Sequence, residues 1–178
     1  MKSIALIGFM GTGKSTLGKV LAQRLALPLV DLDAVIVQEQ QMEIKDIFAR
    51  DGEDKFRQME HAVLCRYAAQ PDRILSPGGG AVLRAENRAV LRQHCWVISL
   101  MARPEVILER VNQDSTVRPV LENREPGQSK LQRIEQVLAQ RLPFYEDADL
   151  VLDTSDKSVA YLVEQVIAWM EKQAGESV

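Results

Sequence analysis

The chain has 178 residues, of which 46% are hydrophobic and 26% charged, and its formal net charge at pH 7 is −3. This length suits one globular domain with a substantial core, so residues 1–178 are interpreted as a single domain. The weakly negative charge argues against a nucleic-acid or anionic-membrane partner, and no apolar run reaches the length of a membrane span. Cys65 and Cys95 lack metal-type spacing and suit a reducing compartment, so a cytoplasmic location is expected.

Apolar runs and amphipathic segments alternate along the chain. Between the runs, apolar side chains recur with helical periodicity, as at Leu17, Leu21 and Leu25. This alternation predicts an α/β fold in three layers, a five-stranded parallel sheet flanked by helices. The one long polar connection, residues 112–129, has a length that usually indicates a functional or mobile loop. The runs that predict strands are 3–8, 27–33, 73–76, 95–101 and 148–154.

The segment GFMGTGKS, residues 8–15, matches the P-loop pattern G-x-x-x-x-G-K-[ST] and lies between the first strand and an amphipathic helix. Its glycines allow backbone N–H groups to turn towards phosphate oxygens at the positive end of the helix. Lys14 can neutralise the β- and γ-phosphates, and the Ser15 hydroxyl can bind Mg²⁺. The chain has no N-K-x-D segment of a signalling GTPase. The sequence therefore predicts nucleoside triphosphate binding.

Two carboxylates, Asp31 and Asp33, follow the second apolar run. Strand alternation would point both to the same side, where one could reach a metal through water and the other an acceptor. Alternatively, Asp33 caps a helix that starts near Ala34 and Asp31 is a solvated charge. The pattern alone leaves both interpretations open.

Three arginines are candidates for a shared anion site. Arg57 has Glu60 three residues later on a helix, a spacing typical of a weak surface ion pair. Arg141 lies beside an apolar helix stripe, where a snorkelling side chain is the ordinary interpretation. Arg118 lies in the long polar connection. Only together do they indicate a function.

Several segments resemble the shikimate kinases, a branch of the P-loop kinases similar to nucleoside-monophosphate kinases. The resemblance covers almost the whole chain and is carried by GFMGTGKST, VDLD, IFARDGEDKFRQME, GGGAVL, RPVL and RLPFYEDAD. It implies transfer of the ATP γ-phosphoryl group to the 3-hydroxyl of shikimate, with ATP and Mg²⁺ required. It also implies an acceptor-binding helical region at about 33–61 and a mobile lid at about 112–125. A monomer is expected.

The resemblance assigns a role to each matching residue. Lys14, Asp33 and Arg118 are the expected catalytic residues, with Asp33 the candidate base and Arg118 acting on the transferring phosphoryl group. Ser15 is expected to bind Mg²⁺, with Asp31 behind it through water. The expected ATP-binding residues are Gly11, Thr12, Gly13, Lys14, Ser15, Thr16, Arg110, Arg118 and Lys157.

The same resemblance places a second glycine-rich loop in the acceptor pocket. Arg57 and Arg141 are expected to bind the substrate carboxylate, which suits the forked geometry of guanidinium, and Glu60 to orient Arg57. A tight turn with nothing bound is the alternative role of the three glycines, but a turn needs one glycine and seldom three. The expected substrate-binding residues are Asp33, Arg57, Gly78, Gly79, Gly80 and Arg141.

Two positions depart from the pattern of the resembled family. Pro77 stands where relatives commonly have Thr, with Ser76 one position earlier, and the lid has R-P-V-L in place of R-P-L-L. A gluconate or nucleotide kinase of the same branch is the alternative enzyme, although no base-reading pocket is recognisable. A nucleotide-switched binding module is the alternative from another class, but the chain has no spare apolar segment for a partner.

Overall fold

The computed structural model describes residues 2–115 and 118–175. Within these ranges the strands are β1 (Ser3–Gly8), β2 (Leu29–Asp31), β3 (Ile74–Ser76), β4 (Cys95–Met101) and β5 (Leu150–Asp153). The helices are α1 (Lys14–Leu25), α2 (Leu32–Gln40), α3 (Ile44–Asp51), α4 (Glu53–Ala68), α5 (Ala85–His94), α6 (Pro104–Gln113), α7 (Pro119–Glu122), α8 (Lys130–Glu146) and α9 (Val159–Gly175). A short 3-10 helix, Ala81–Leu83, precedes α5.

The five strands form one sheet in the order β2-β3-β1-β4-β5, and each neighbouring pair is parallel. This confirms the predicted five-stranded parallel sheet. The chain leaves the central strand β1 towards β2 on one side and later crosses to β4 on the other. Ligands of such sheets bind beyond the carboxyl ends of the strands, where the strand order reverses. The P-loop after β1, Asp31 at the end of β2 and Ser76 at the end of β3 all lie at that edge.

Hydrophobic clusters cover both faces of the sheet. All six β1 residues are buried, and alternation sends Ala5 and Ile7 into one cluster and Ile4 and Leu6 into the other. The first cluster contains apolar residues of α2, α3, α4 and α8, and the second contains those of α1 and α9. The helices therefore form two outer layers, as the alternating pattern predicts.

The chain turns from strand to helix earlier than the apolar run suggests. Strand β2 ends at Asp31, whose carboxylate Oδ1 accepts a hydrogen bond from the Ala34 backbone N–H at 3.1 Å. Asp31 is therefore the N-cap of α2, and Asp33 lies in the first helical turn. The expectation of strand alternation through Asp33 was wrong, and so was the alternative that Asp33 is the cap.

The polar connection contains a helix that its composition does not reveal. Helix α6 continues to Gln113, and α7 begins at Pro119, where proline's fixed φ suits the first helical position. The Ser129 and Gln132 side chains form a capping box at the start of α8. Of the expected lid, residues 116 and 117 lie outside the described residues. Along the described chain, none of the helices combines the length and apolar character needed to span a bilayer.

Candidate active site

The P-loop has the backbone conformation that its glycines predict. Gly8, Gly11 and Gly13 have φ values of 145°, 76° and 98°, in the region that side-chain-bearing residues rarely adopt. Gly13 is the N-cap of α1, so the positive end of that helix faces the loop. The Lys14 Nζ donates to the carbonyl oxygens of Gly8 and Phe9 at 2.8 and 2.9 Å. Both bonds tie the lysine into the curvature of the loop.

A cavity of about 470 Å³, here called the P-loop cavity, opens above this loop. The structure brings the expected nucleotide and metal residues to this one place, including the two acids Asp31 and Asp33. Pro77, which stands where relatives commonly have Thr, also lines it, and so does the neighbouring Ser76. The expected residues along its wall are Gly11, Thr12, Gly13, Lys14, Ser15, Thr16, Asp31, Asp33, Arg110, Arg118 and Lys157.

A second cavity of about 380 Å³, here called the arginine cavity, adjoins the first. Its polar lining includes the expected acceptor residues and Glu60, and Ile44, Phe48 and Phe56 form an apolar wall. Asp33 and Arg118 line both cavities, so groups bound in the two cavities would meet at these side chains. The expected residues along its wall are Asp33, Arg57, Gly78, Gly79, Gly80, Arg118 and Arg141.

The Arg57–Glu60 pair belongs to the protein interior. The Glu60 carboxylate is 0% exposed and accepts from Arg57 NH1 at 2.9 and 3.1 Å, while Arg57 NH2 contacts Glu53 at 3.2 Å. Burial raises the Glu60 pKa to about 7 against the opposing effect of Arg57. The interpretation of a weak surface ion pair was therefore wrong, because the pair is covered by elements distant in sequence.

Arg141 is also buried, at 5% exposure, and its Cζ lies 5.7 Å from the centroid of the Phe9 ring. A snorkelling arginine would keep its guanidinium in water. Arg141 instead keeps its charge inside the molecule, at the wall of the arginine cavity. Buried guanidinium groups call for an anionic or hydrogen-bonding partner, which a ligand carboxylate would supply.

The three consecutive glycines, Gly78, Gly79 and Gly80, do not have left-handed φ values. Close approach requires them instead. A Cβ on Gly78 would lie 2.8 Å from Asp33 Oδ1 and 3.0 Å from Glu60 Oε1, and one on Gly80 would lie 2.6 Å from Arg57 Cζ. The absence of these Cβ atoms gives the charged groups their room beside the loop.

Tyr145 of α8 supports this loop, a role that the sequence did not predict. Its side chain is 0% exposed, and its hydroxyl donates to the Gly79 carbonyl oxygen at 2.6 Å. A tyrosine on an apolar helix stripe usually needs a partner for its hydroxyl when buried. That rule signals a contact, but only the fold shows which carbonyl accepts.

The site combines perturbed charges with unpartnered polar atoms. Burial, followed by the charge of Asp31, raises the Asp33 pKa to about 6, and burial lowers the Lys14 pKa to about 8. Arg118 NH2 contacts Asp114 Oδ2 at 2.5 Å. Among the described residues, the buried atoms Asp33 Oδ1 and Arg118 Nε have no hydrogen-bond partner. Both atoms belong to side chains that line both cavities, where a ligand could satisfy them.

Comparison with known proteins identifies the family of this chain. The family model described as shikimate kinase matches residues 10–171. The chain belongs to the shikimate kinase family. A curated shikimate kinase from Geobacter metallireducens is 39% identical over 171 residues, covering 96% of this chain and 93% of the relative.

Solved structures agree with this family membership. A shikimate kinase from Acinetobacter baumannii in complex with shikimate superimposes with a TM-score of 0.89 at 30% identity, covering 97% of this chain and 94% of that chain. A gluconokinase from Sinorhizobium meliloti has a TM-score of 0.63 at 18% identity, covering 98% and 94% of the two chains, and shares the fold alone. The shikimate kinase fold is thus a P-loop kinase architecture.

Proposed function

We propose that this protein transfers the γ-phosphoryl group of ATP to the 3-hydroxyl of shikimate, forming shikimate 3-phosphate and ADP. The observation that carries the proposal is the junction of two cavities at Asp33 and Arg118, one with a P-loop and the other with two buried arginines. Membership of the shikimate kinase family supports it. So does the shikimate bound in the Acinetobacter baumannii relative.

The P-loop cavity would bind ATP. Backbone N–H groups at the start of α1 would face the phosphates, and Lys14, which now donates to two carbonyl oxygens, would instead donate to negatively charged phosphate oxygens. Thr12 and Thr16 belong to the same cradle, and Arg110 and Lys157 would flank the base. Most of the catalysis comes from positioning, because phosphoryl transfer asks for little covalent chemistry from the protein.

Ser15 and Asp31 would hold Mg²⁺, Asp31 through water. A hydroxyl and a carboxylate beside a phosphate cradle fit this cation, which prefers oxygen ligands and usually keeps several waters. In the described part of the chain, no group of three His, Cys, Asp or Glu side chains could hold a metal. When bound, the cation neutralises charge on the β- and γ-phosphates.

The arginine cavity would bind shikimate. Arg57 and Arg141 would bind its carboxylate, Glu60 would orient Arg57 through their hydrogen bond, and Gly78 to Gly80 would lie against the bound molecule. Asp33 would face the hydroxyl that reacts. With a pKa of about 6, its carboxylate is mostly ionised at pH 7 and can accept the hydroxyl hydrogen.

Arg118 would neutralise the phosphoryl group as it passes between the cavities. It lines both cavities and precedes the short helix α7, within the segment 112–125 that we propose as a lid. Closing such a lid excludes water, which would otherwise compete with the acceptor hydroxyl for the phosphoryl group. The acceptor-binding helical region of this proposal is 33–61.

The test is ADP release by purified protein with MgATP, with and without shikimate, and with gluconate and AMP as parallel acceptors. Strong stimulation by shikimate alone is the expected result. Stimulation by gluconate or AMP instead would contradict the proposed acceptor, and no stimulation by any of the three would refute the kinase activity. Arg141→Ala should mainly weaken shikimate binding. An unchanged shikimate affinity in a titration would show that Arg141 does not bind the carboxylate.

A further inference from the structure

Thr154 lies directly after β5 and connects three parts of the nucleotide site. Its side chain is 3% exposed, and its hydroxyl Oγ1 donates to the Thr12 carbonyl oxygen at 2.8 Å. The Met101 carbonyl oxygen, at the end of β4, lies 3.1 Å from the same hydroxyl. Arg110 NH1 donates to Oγ1 at 3.0 Å, and Arg110 NH2 donates to the Thr154 carbonyl oxygen at 2.7 Å. The hydroxyl has one hydrogen, which goes to the Thr12 carbonyl oxygen as the nearer of the two acceptors, and one of its two lone pairs accepts from Arg110.

The bond to Thr12 sets the orientation of one peptide plane of the P-loop. In a planar trans peptide the C=O of one residue and the N–H of the next point in opposite directions. Holding the Thr12 carbonyl towards Thr154 therefore turns the Gly13 N–H to the opposite side. Nothing lies within 4 Å of the position that a Cβ of Gly13 would take, so the space beside it is open.

The P-loop sequence does not determine this orientation. Gly13 has a φ of 98°, but glycine adopts positive and negative φ almost equally well. Rotation of the Thr12–Gly13 peptide is thus limited mainly by what its carbonyl binds. The preceding carbonyl, that of Gly11, accepts from Arg110 NH1 at 3.1 Å, so two consecutive peptides are held by residues far away in the chain.

We propose that Thr154 is a positioning residue for phosphate binding, which acts by fixing the Thr12–Gly13 peptide so that the Gly13 N–H faces the phosphates of the nucleotide. Thr154 itself need not touch the nucleotide for this effect. The inference rests on the nucleotide site of the proposed function and is independent of which acceptor is phosphorylated.

The experiment compares Thr154→Val, which keeps the shape and loses the hydroxyl, with Thr154→Ser, which keeps the hydroxyl. Displacement of a fluorescent ADP analogue is titrated with ADP and separately with adenosine. Thr154→Val should weaken ADP binding roughly tenfold and adenosine binding less than about twofold, since only phosphates contact the Gly13 N–H. Thr154→Ser should bind ADP within about twofold of the unaltered protein.

Ser155→Ala is the matched control. The Ser155 hydroxyl accepts from the Arg103 backbone N–H at 3.0 Å, in the same loop but away from the P-loop, so ADP binding should be unchanged. Thr154→Ala is measured alongside and should match Thr154→Val, so that the conclusion does not depend on how valine is accommodated. Melting temperatures of all variants establish that each is folded.

Three results would overturn the inference. These are unaltered ADP binding by Thr154→Val, equal losses for adenosine and ADP, and Thr154→Ser as weak as Thr154→Val. The titrations need no acceptor. Protein that binds ADP but does not phosphorylate shikimate would therefore refute the proposed function and leave the role of Thr154 standing.

Discussion

The P-loop and the loop of Gly78, Gly79 and Gly80 lie against each other, yet they use glycine for different reasons. In the P-loop, three glycines have φ values between 76° and 145°. In the second loop none has a left-handed φ, and at Gly78 and Gly80 glycine is required because charged side chains lie within 3.0 Å of the position that a Cβ would take. The two loops contact each other at Gly79 and Gly8. A Cβ added to Gly79 would lie 3.3 Å from the Gly8 carbonyl oxygen.

This difference separates two kinds of substitution. At Gly13 an added methyl group meets nothing within 4 Å, so its cost is backbone strain. At Gly80 the backbone tolerates any residue, but the methyl group must displace the Arg57 guanidinium. Of the two cavities, Gly13 lines the P-loop cavity and Gly80 lines the arginine cavity, so substitutions at these two glycines should affect different substrates.

The largest effect is expected at a residue that belongs to both cavities. Arg118→Ala should lower kcat roughly 10³-fold, because an arginine that meets a transferring phosphoryl group acts on the transition state. The shikimate KM should change less than about threefold, since ground-state binding is left to other residues. Steady-state kinetics checks this, with the exposed Arg124→Ala as a charge-matched control. Normal turnover by Arg118→Ala would contradict the assigned role.

Gly80→Ala should raise the shikimate KM roughly 10- to 100-fold and change the ATP KM little. An increase of this size is expected when the charge-assisted bidentate contact between Arg57 and the substrate carboxylate is misplaced. The physical reason is the position of Arg57 Cζ, 2.6 Å from where the new Cβ would lie.

A double-mutant cycle isolates the cause of the Gly80 effect. If Gly80→Ala acts by displacing Arg57, it should add almost nothing in an Arg57→Ala background. Independent, additive losses from the two substitutions would show that the glycine matters for another reason.

Gly13→Ala should cost about 1–2 kcal/mol of stability through its φ of 98° and raise the ATP KM by a comparable factor, about 5- to 30-fold. Gly127 provides the control, because it has a φ of 79° and nothing within 4 Å of its Cβ position. Gly127→Ala should show the same loss in urea unfolding with an unchanged ATP KM. A Gly13→Ala protein of unaltered stability would mean that strain is not the cost in the P-loop.

The last effect is on stability alone and concerns Asp33, the acid that lines both cavities. The folded-state pKa of Asp33 is raised from 3.8 to about 6, so the folded protein holds this proton more tightly than the unfolded chain. Stability from this group is therefore fully present below pH 3.8 and is lost as the pH rises to about 6. Asp33→Asn should exceed the unaltered protein in stability at pH 7 by up to about 3 kcal/mol, the free-energy equivalent of raising the pKa from 3.8 to about 6.

Urea unfolding at several pH values checks the Asp33 prediction. The advantage of Asp33→Asn should shrink as the pH falls from about 6 to below about 4, where the native carboxyl is also neutral. An advantage that does not depend on pH would attribute the effect to packing or hydrogen bonding.

Helix boundaries show where local patterns stop being informative. The run 27–33 is apolar enough to predict a strand, but Asp31 ends the strand by capping α2 and thereby places Asp33 on a helix. Both outcomes satisfy the local hydrogen bonds of an aspartate. The choice depends on how α2 packs against α4, which no local pattern contains.

Local chemistry in the sequence by itself determined the alternating strands and helices, the parallel sheet and the P-loop, because periodicity and glycine conformation act over a few residues. The tertiary structure alone decided that Glu60 is buried, that Gly80 makes room for Arg57 and that Thr154 holds the Thr12 carbonyl. These facts join segments distant in the chain. Burial, close approach and pKa are properties of the assembled surroundings, so they exist only once the chain has folded.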